Sequence, residues 1–106
     1  MTAGKPGRVR VMVFASAPDA DPEAVAEAYH QISADLAGTP GLLGNELMRS
    51  VHQPNGYVVM SEWESLDAFR EWEDGPNHRD TTAPLRSYQD GRPAGPFGIY
   101  EVAASY

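Results

Sequence analysis

The chain has 106 residues, 42% hydrophobic and 22% charged, which suits one hydrophobic core and is too apolar for a disordered segment. A formal net charge of -7 argues against nucleic acid and anionic membranes, whose phosphates need a basic surface. Cysteine is absent, which removes disulfides, thiolate metal sites and thiol nucleophiles.

Residues 8–14 alternate, with Val9, Val11 and Val13 on one face and Arg10, Met12 and Phe14 on the other, which predicts a strand. Ala17-Pro18-Asp19-Ala20 breaks it. Asp21 is placed to cap a helix, Pro22 suits the first helical position, and Glu23 complements the dipole. Val25, Ala28, Tyr29, Ile32 and Leu36 follow at spacings of three and four and make one apolar face. Gly38 fits the left-handed residue that ends a helix, with Pro40 just beyond. Residues 42–50 predict a second strand, with Gly44 as a bulge near its start. Pro54-Asn55-Gly56 turns the chain into a third strand over 57–63. Ser65 is placed to cap a short second helix carrying Leu66, Phe69 and Trp72, which Gly75-Pro76 interrupts. Asn77 then opens a further turn from 78 to about 85. A loop rich in Gly and Pro over 90–98 leads to a last strand over 99–103.

Strand, helix, strand, strand, helix, strand is the α+β, ferredoxin-like βαββαβ order, a four-stranded antiparallel sheet with both helices on one face. Residues 1–106 then form a single domain. The helix-free face carries alternating apolar residues and needs a cover, and a second copy of the chain supplies one, so a homodimer is expected. No apolar run reaches the length of a membrane span or a signal core, which predicts a cytoplasmic protein.

Asn45 alternates with Leu43 and Leu47 and so shares a face with apolar residues. A buried amide needs partners, so either a ligand or a backbone group must meet it. Arg49 continues that face. Trp63 and Trp72 are core residues or stacking surfaces for a planar ligand, with core favoured for Trp63. His78 is a candidate proton acceptor, or a cap on the break after the second helix. His30 and His52 read as surface residues. Arg86 or Arg92 is placed to offset developing negative charge, or is a solvated loop residue. Glu62, Glu64, Asp67, Glu71, Glu73 and Asp74 follow no calcium-loop spacing and read as a solvated face. The three histidines lie on three separate segments without ligand spacing, so no metal site is expected. No dinucleotide fingerprint, HExxH, phosphate loop or nucleophile elbow is present.

Pro40-Gly41-Leu42-Leu43-Gly44, then residues 57–65 (YVVMSEWES), then Ala68-Phe69 with Trp72 and the following His78 resemble the antibiotic biosynthesis monooxygenase family, a group of dimeric α+β barrels. The resemblance implies an oxygenase that acts with O2 on electron-rich polycyclic aromatic polyketide intermediates held between sheet and helices. It implies that Trp72 and Tyr57 belong to the pocket, with Phe69 alongside, and that His78 stands where some members have a tyrosine. Ala68 departs from the quinone-forming branch, which has an asparagine one turn before the tryptophan. The tail, with Thr82-Ala83-Pro84-Leu85-Arg86 and residues 96–102 (PFGIYEV), is closer to the angucycline ring-opening oxygenases. That similarity implies reduced flavin as a diffusible co-substrate, supplied by a flavin reductase, with no tightly bound cofactor. On this reading His78, Trp72 and Arg86 are catalytic, and Tyr57, Asn45, Phe69 and Trp63 bind substrate. Two other functions fit the same fold. One is a haem-degrading relative with a histidine as axial ligand, the other a non-catalytic dimeric protein that shields a reactive aromatic intermediate.

Overall fold

The computed structural model describes residues 7–75, 78–89 and 97–106, of which 78–80 are described in their backbone alone. Its elements are β1 (Val9–Ser16), α1 (Ala24–Leu36), β2 (Leu42–Arg49), β3 (Gly56–Trp63), α2 (Leu66–Glu73), α3 (His78–Arg86) and β4 (Phe97–Glu101). The strands form one antiparallel sheet in the order β2-β3-β1-β4, the ferredoxin-like arrangement expected from the element order.

Alternation decides which residues the helices cover. Val9, Val11 and Ala15 of β1 are buried, as are Tyr57 and Trp63 of β3, and α1 meets Ala15 and Tyr57 with Val25, Ala28, Ile32 and Leu36. At the α2 end, Val9, Val11, Trp63 and Phe69 make a second buried cluster. Apolar area removed from water at these positions is the main force holding helices to sheet, at roughly 25 cal/mol per Å².

Several expectations are corrected. The first helix begins at Ala24, and its N-cap is Glu23 without a side-chain capping bond. Asp21 instead closes a turn, its carbonyl accepting from the Ala24 amide at 3.1 Å. The last strand starts at Phe97, two residues early, because Phe97 pairs with Val13 of β1, and it ends at Glu101. Ser65 does cap α2, its side chain accepting from the Ala68 amide at 3.1 Å. Gly38 takes a φ of 83° just past α1.

The register between β2 and β3 shifts between Leu42 and Gly44. This bulge takes Leu43 out of the alternation that would have put it beside Asn45, leaving Leu43 50% exposed. Gly41, just before it, has a φ of 83°, and a Cβ placed there would stand 2.5 Å from the Ala68 Cβ. Glycine is therefore required at this crossing for its backbone conformation and for the close approach of α2.

Among the described residues, no helix lies on the other face of the sheet. By the same alternation it carries Met12, Phe14, Met48, Val58, Met60 and Tyr100, with Met48 and Tyr100 exposed. The Tyr100 ring lies over Gly98, where any Cβ would stand within 3.0 Å of it. Glu62, expected on a solvated face, instead accepts from Arg8 at 3.2 Å and Arg10 at 3.0 Å beside this apolar surface.

Candidate active site

Between sheet and helices lies a cavity of about 260 Å³. Val11, Val13 and Val59 give its floor an apolar surface, interrupted by the polar side chains of Asn45 and Ser61. Ile32 and Leu36 form the α1 wall, Phe69 and Trp72 the α2 wall, and Thr82, Leu85 and Arg86 the α3 wall. Helical spacing explains the selection: 69 and 72 lie three apart on α2, and 82, 85 and 86 share one face of α3. Phe97, at the start of β4, lines the cavity while remaining 45% exposed. A largely apolar concavity with a few converging polar groups is the usual form of a small-molecule site.

Three aromatic rings build its α2 side. Trp63 is 1% exposed and packs edge-on against Phe69 with ring centroids 5.5 Å apart. Trp72 lies 5.3 Å from Trp63 with an interplanar angle of 32°, and 6.0 Å from Phe69. Trp63 thus forms the layer behind, and Phe69 and Trp72 present to the cavity. The Trp63 indole N–H donates to the Ser61 hydroxyl at 2.9 Å.

On the floor, Asn45 has polar neighbours that its sequence position alone did not reveal. Its Oδ1 accepts from the Tyr29 hydroxyl at 2.6 Å and from the Ser33 hydroxyl at 3.0 Å, both on α1. Two side-chain hydroxyls meet this oxygen. Arg86 is exposed at the rim, donating to the Thr82 hydroxyl at 2.8 Å, one helical turn back.

Of the residues singled out in the sequence, Asn45, Phe69, Trp72 and Arg86 come together around this cavity, with Trp63 packed behind them. Tyr57 does not join them. It pairs with Ala15 two register positions away from Val59, is 8% exposed, and packs into the core around Val25. Tyr57 also borders a separate depression of about 220 Å³, with Met48, Arg49 and Gln53. His30 and His52 are exposed and line neither hollow. The His78 side chain and all of Arg92 lie outside the described residues. Ala68 packs against Gly41 instead of facing the cavity. Glu73, expected in solvent, is half-buried and lines the cavity.

Sequence reasoning missed Tyr29, Ser33 and Ser61 as site residues. The available signal was a pair of hydroxyls four residues apart on the inner face of α1, and a serine in a strand otherwise apolar on that face. Among the described residues no three His, Asp or Glu side chains converge as metal ligands, and no helix is long and apolar enough to cross a membrane.

A family model described as antibiotic biosynthesis monooxygenase matches residues 8–84, most of the chain. The chain belongs to that family. Protein SchA of Streptomyces halstedii is 32% identical over 84 residues, covering 79% of this chain and 22% of SchA, so the chain spans about a fifth of that relative's length. The mycobilin-producing heme oxygenase of Mycobacterium tuberculosis is 39% identical over 57 residues, covering 54% of this chain and 53% of that one. In fold, the chain matches SnoaB, a cofactor-independent oxygenase from Streptomyces nogalater, with a TM-score of 0.74 at 21% identity, covering 95% of this chain and 97% of SnoaB. At that identity the likeness shows the fold.

Proposed function

We propose that the chain is an oxygenase that oxidises an electron-rich polycyclic aromatic polyketide intermediate with O2 in an antibiotic biosynthetic pathway. The observation that carries this is the apolar cavity walled by Phe69 and Trp72, found in a member of the monooxygenase family. A planar substrate stacks on the aromatic wall, and the enclosing apolar groups keep water from the reacting centre. SnoaB, described as cofactor-independent, supports chemistry without a bound metal or tightly held organic group.

The substrate itself must then reduce oxygen. A deprotonated phenol passes one electron to O2, and the phenoxyl radical and superoxide combine at a ring carbon to a peroxide, which is protonated. Loss of water from that peroxide leaves a quinone. One oxygen atom stays in the product and the other leaves as water, so a phenol and O2 give a quinone and H2O. His78 takes the phenolic proton and Arg86, at the rim, offsets the negative charge. Reduced flavin from a separate reductase serves as electron donor if the bond to be broken demands more than the phenolate supplies. Uptake of O2 with an anthrone-type substrate, with and without reduced flavin, tests this reading. Uptake no faster than the uncatalysed reaction under both conditions would leave the chain a binding protein for such intermediates.

The working unit is a homodimer in the cytoplasm. Met12, Phe14, Met48, Val58, Met60 and Tyr100 make an apolar surface on the helix-free sheet that a second copy covers. Sedimentation at micromolar concentration should give twice 11.5 kDa. A clean monomer would contradict the paired-sheet arrangement.

Haem degradation is the second reading, favoured by the 39% identity to the mycobacterial heme oxygenase. Against it, both histidines with described side chains are exposed and away from the cavity. Titration with haem decides it: a stable Soret band at one haem per chain supports degradation, and no such band supports the aromatic substrate.

A further inference from the structure

The amide of Asn45 has a fixed orientation. Tyr29 and Ser33, one turn apart on α1, both donate their hydroxyls to its Oδ1, at 2.6 and 3.0 Å. A contact of 2.6 Å lies in the range of O–H···O bonds and below that of N–H···O bonds, so the amide oxygen, not its nitrogen, faces α1. The Tyr29 hydroxyl also lies 3.3 Å from the Asn45 backbone carbonyl, which ties it to the strand as well. The Nδ2 protons then point away from α1, and among the described residues no group accepts from them. Asn45 lines the cavity.

Ser61 is the register partner of Asn45 on β3, and it too lines the cavity. Its hydroxyl oxygen already accepts from the Trp63 indole N–H at 2.9 Å, which leaves its own proton to donate. Opposed residues in an antiparallel pair project from the same face of the sheet, so these two donors stand side by side. Around them the floor is valine. The cavity therefore offers two hydrogen-bond donors together, while the protein already fills the amide oxygen beside them.

We propose that Asn45 and Ser61 form a two-donor station for an unprotonated oxygen of the substrate, a phenolate or the conjugated carbonyl into which its charge is delocalised. Tyr29, Ser33 and Trp63 are positioning residues that aim the two donors. A phenolate accepts from both groups through hydrogen bonds to a charged partner, the stronger kind, so it gains more here than a phenol, whose own proton meets only the remaining lone pair of the Ser61 hydroxyl. The station thus selects the ionised substrate, the form able to reduce O2, and holds the charge where solvent is excluded. It is distinct in role from His78, which removes the proton, and it rests on the reading of the cavity as an aromatic-substrate site.

The test is a visible-absorbance titration of 2-hydroxyanthraquinone, whose phenol and phenolate differ in colour, bound to the intact chain. The phenolate should bind about tenfold more tightly than the phenol, as expected for one added hydrogen bond to a charged group. Ser61→Ala and Asn45→Leu should each remove most of that preference while affinity for the phenol form is kept. Tyr29→Phe should remove part of it, because the amide is then held by Ser33 alone. A probe that binds without preference for the phenolate, or a preference that survives both Ser61→Ala and Asn45→Leu, overturns the station and leaves the cavity as an aromatic site. A probe that does not bind at all overturns both.

Discussion

Trp63→Ala is expected to destabilise the fold by about 3–5 kcal/mol, the range for removing a packed core aromatic. Trp63 is 1% exposed and lies between the sheet and α2, in contact with both Phe69 and Trp72. Its loss opens a void that the backbone of β3, paired on both sides, is poorly able to close. It also leaves the Ser61 hydroxyl without its indole donor. Trp72→Ala should cost less, because Trp72 is only half-buried and one side of it is cavity wall. Its main effect is weaker binding of aromatic ligands. Denaturant midpoints give the two stabilities, and fluorescence titration per folded molecule gives the binding. Equal losses of stability with unchanged binding would make Trp72 a structural residue.

His78→Ala is expected to lower turnover at least 100-fold, from the roughly 10²–10⁴ that general base assistance supplies. His78 opens α3, and Thr82, Leu85 and Arg86, at four, seven and eight residues beyond it, all line the cavity. The sign of the pH effect follows from the role. Protonated imidazole accepts nothing, so turnover falls as pH drops through the imidazole range in the wild type. The variant should lose that limb along with most of its rate, while substrate affinity changes little. Near-normal turnover with the same low-pH limb would assign the work to Arg86, holding a substrate that arrives already ionised.

The fold was legible because period-two and period-three-to-four patterns do not overlap in this chain. Val9, Val11 and Val13 give a strand and Val25, Ala28, Ile32 and Leu36 a helix, with Gly38 and Ser65 marking boundaries. Errors came where a boundary depended on tertiary pairing. Asp21 has the chemistry of a cap, yet the chain makes a turn there first, and Phe97 joins β4 because Val13 is available to pair with it. The bulge at Gly44 was visible as a glycine, but its consequence for Leu43 was not, since a single extra residue reverses the alternation.

The aromatic wall of the site was legible through the spacing of Phe69 and Trp72 on one helix face. Tyr57 lies outside this cavity, because alternation tells which face a residue occupies and not how far along the strand the cavity extends. Tyr57, Val59 and Ser61 share a face, yet α1 covers Tyr57 with Val25 and Ala28 and opens only beyond it. The polar floor was half legible. Asn45 stood out as an amide among apolar residues, whereas Tyr29 and Ser33 meet it only through the packing of α1 on β2, across 16 and 12 residues of chain.

The central claim, that this cavity holds an aromatic substrate while O2 oxidises it, is tested most directly with isotopically labelled oxygen gas. An anthrone-type substrate is converted by the metal-free chain, and the product is weighed by mass spectrometry. The predicted result is a quinone carrying one labelled oxygen atom, formed faster than without protein and lost with Trp72→Ala. A quinone whose new oxygen comes from water, or one formed at the uncatalysed rate, would contradict it.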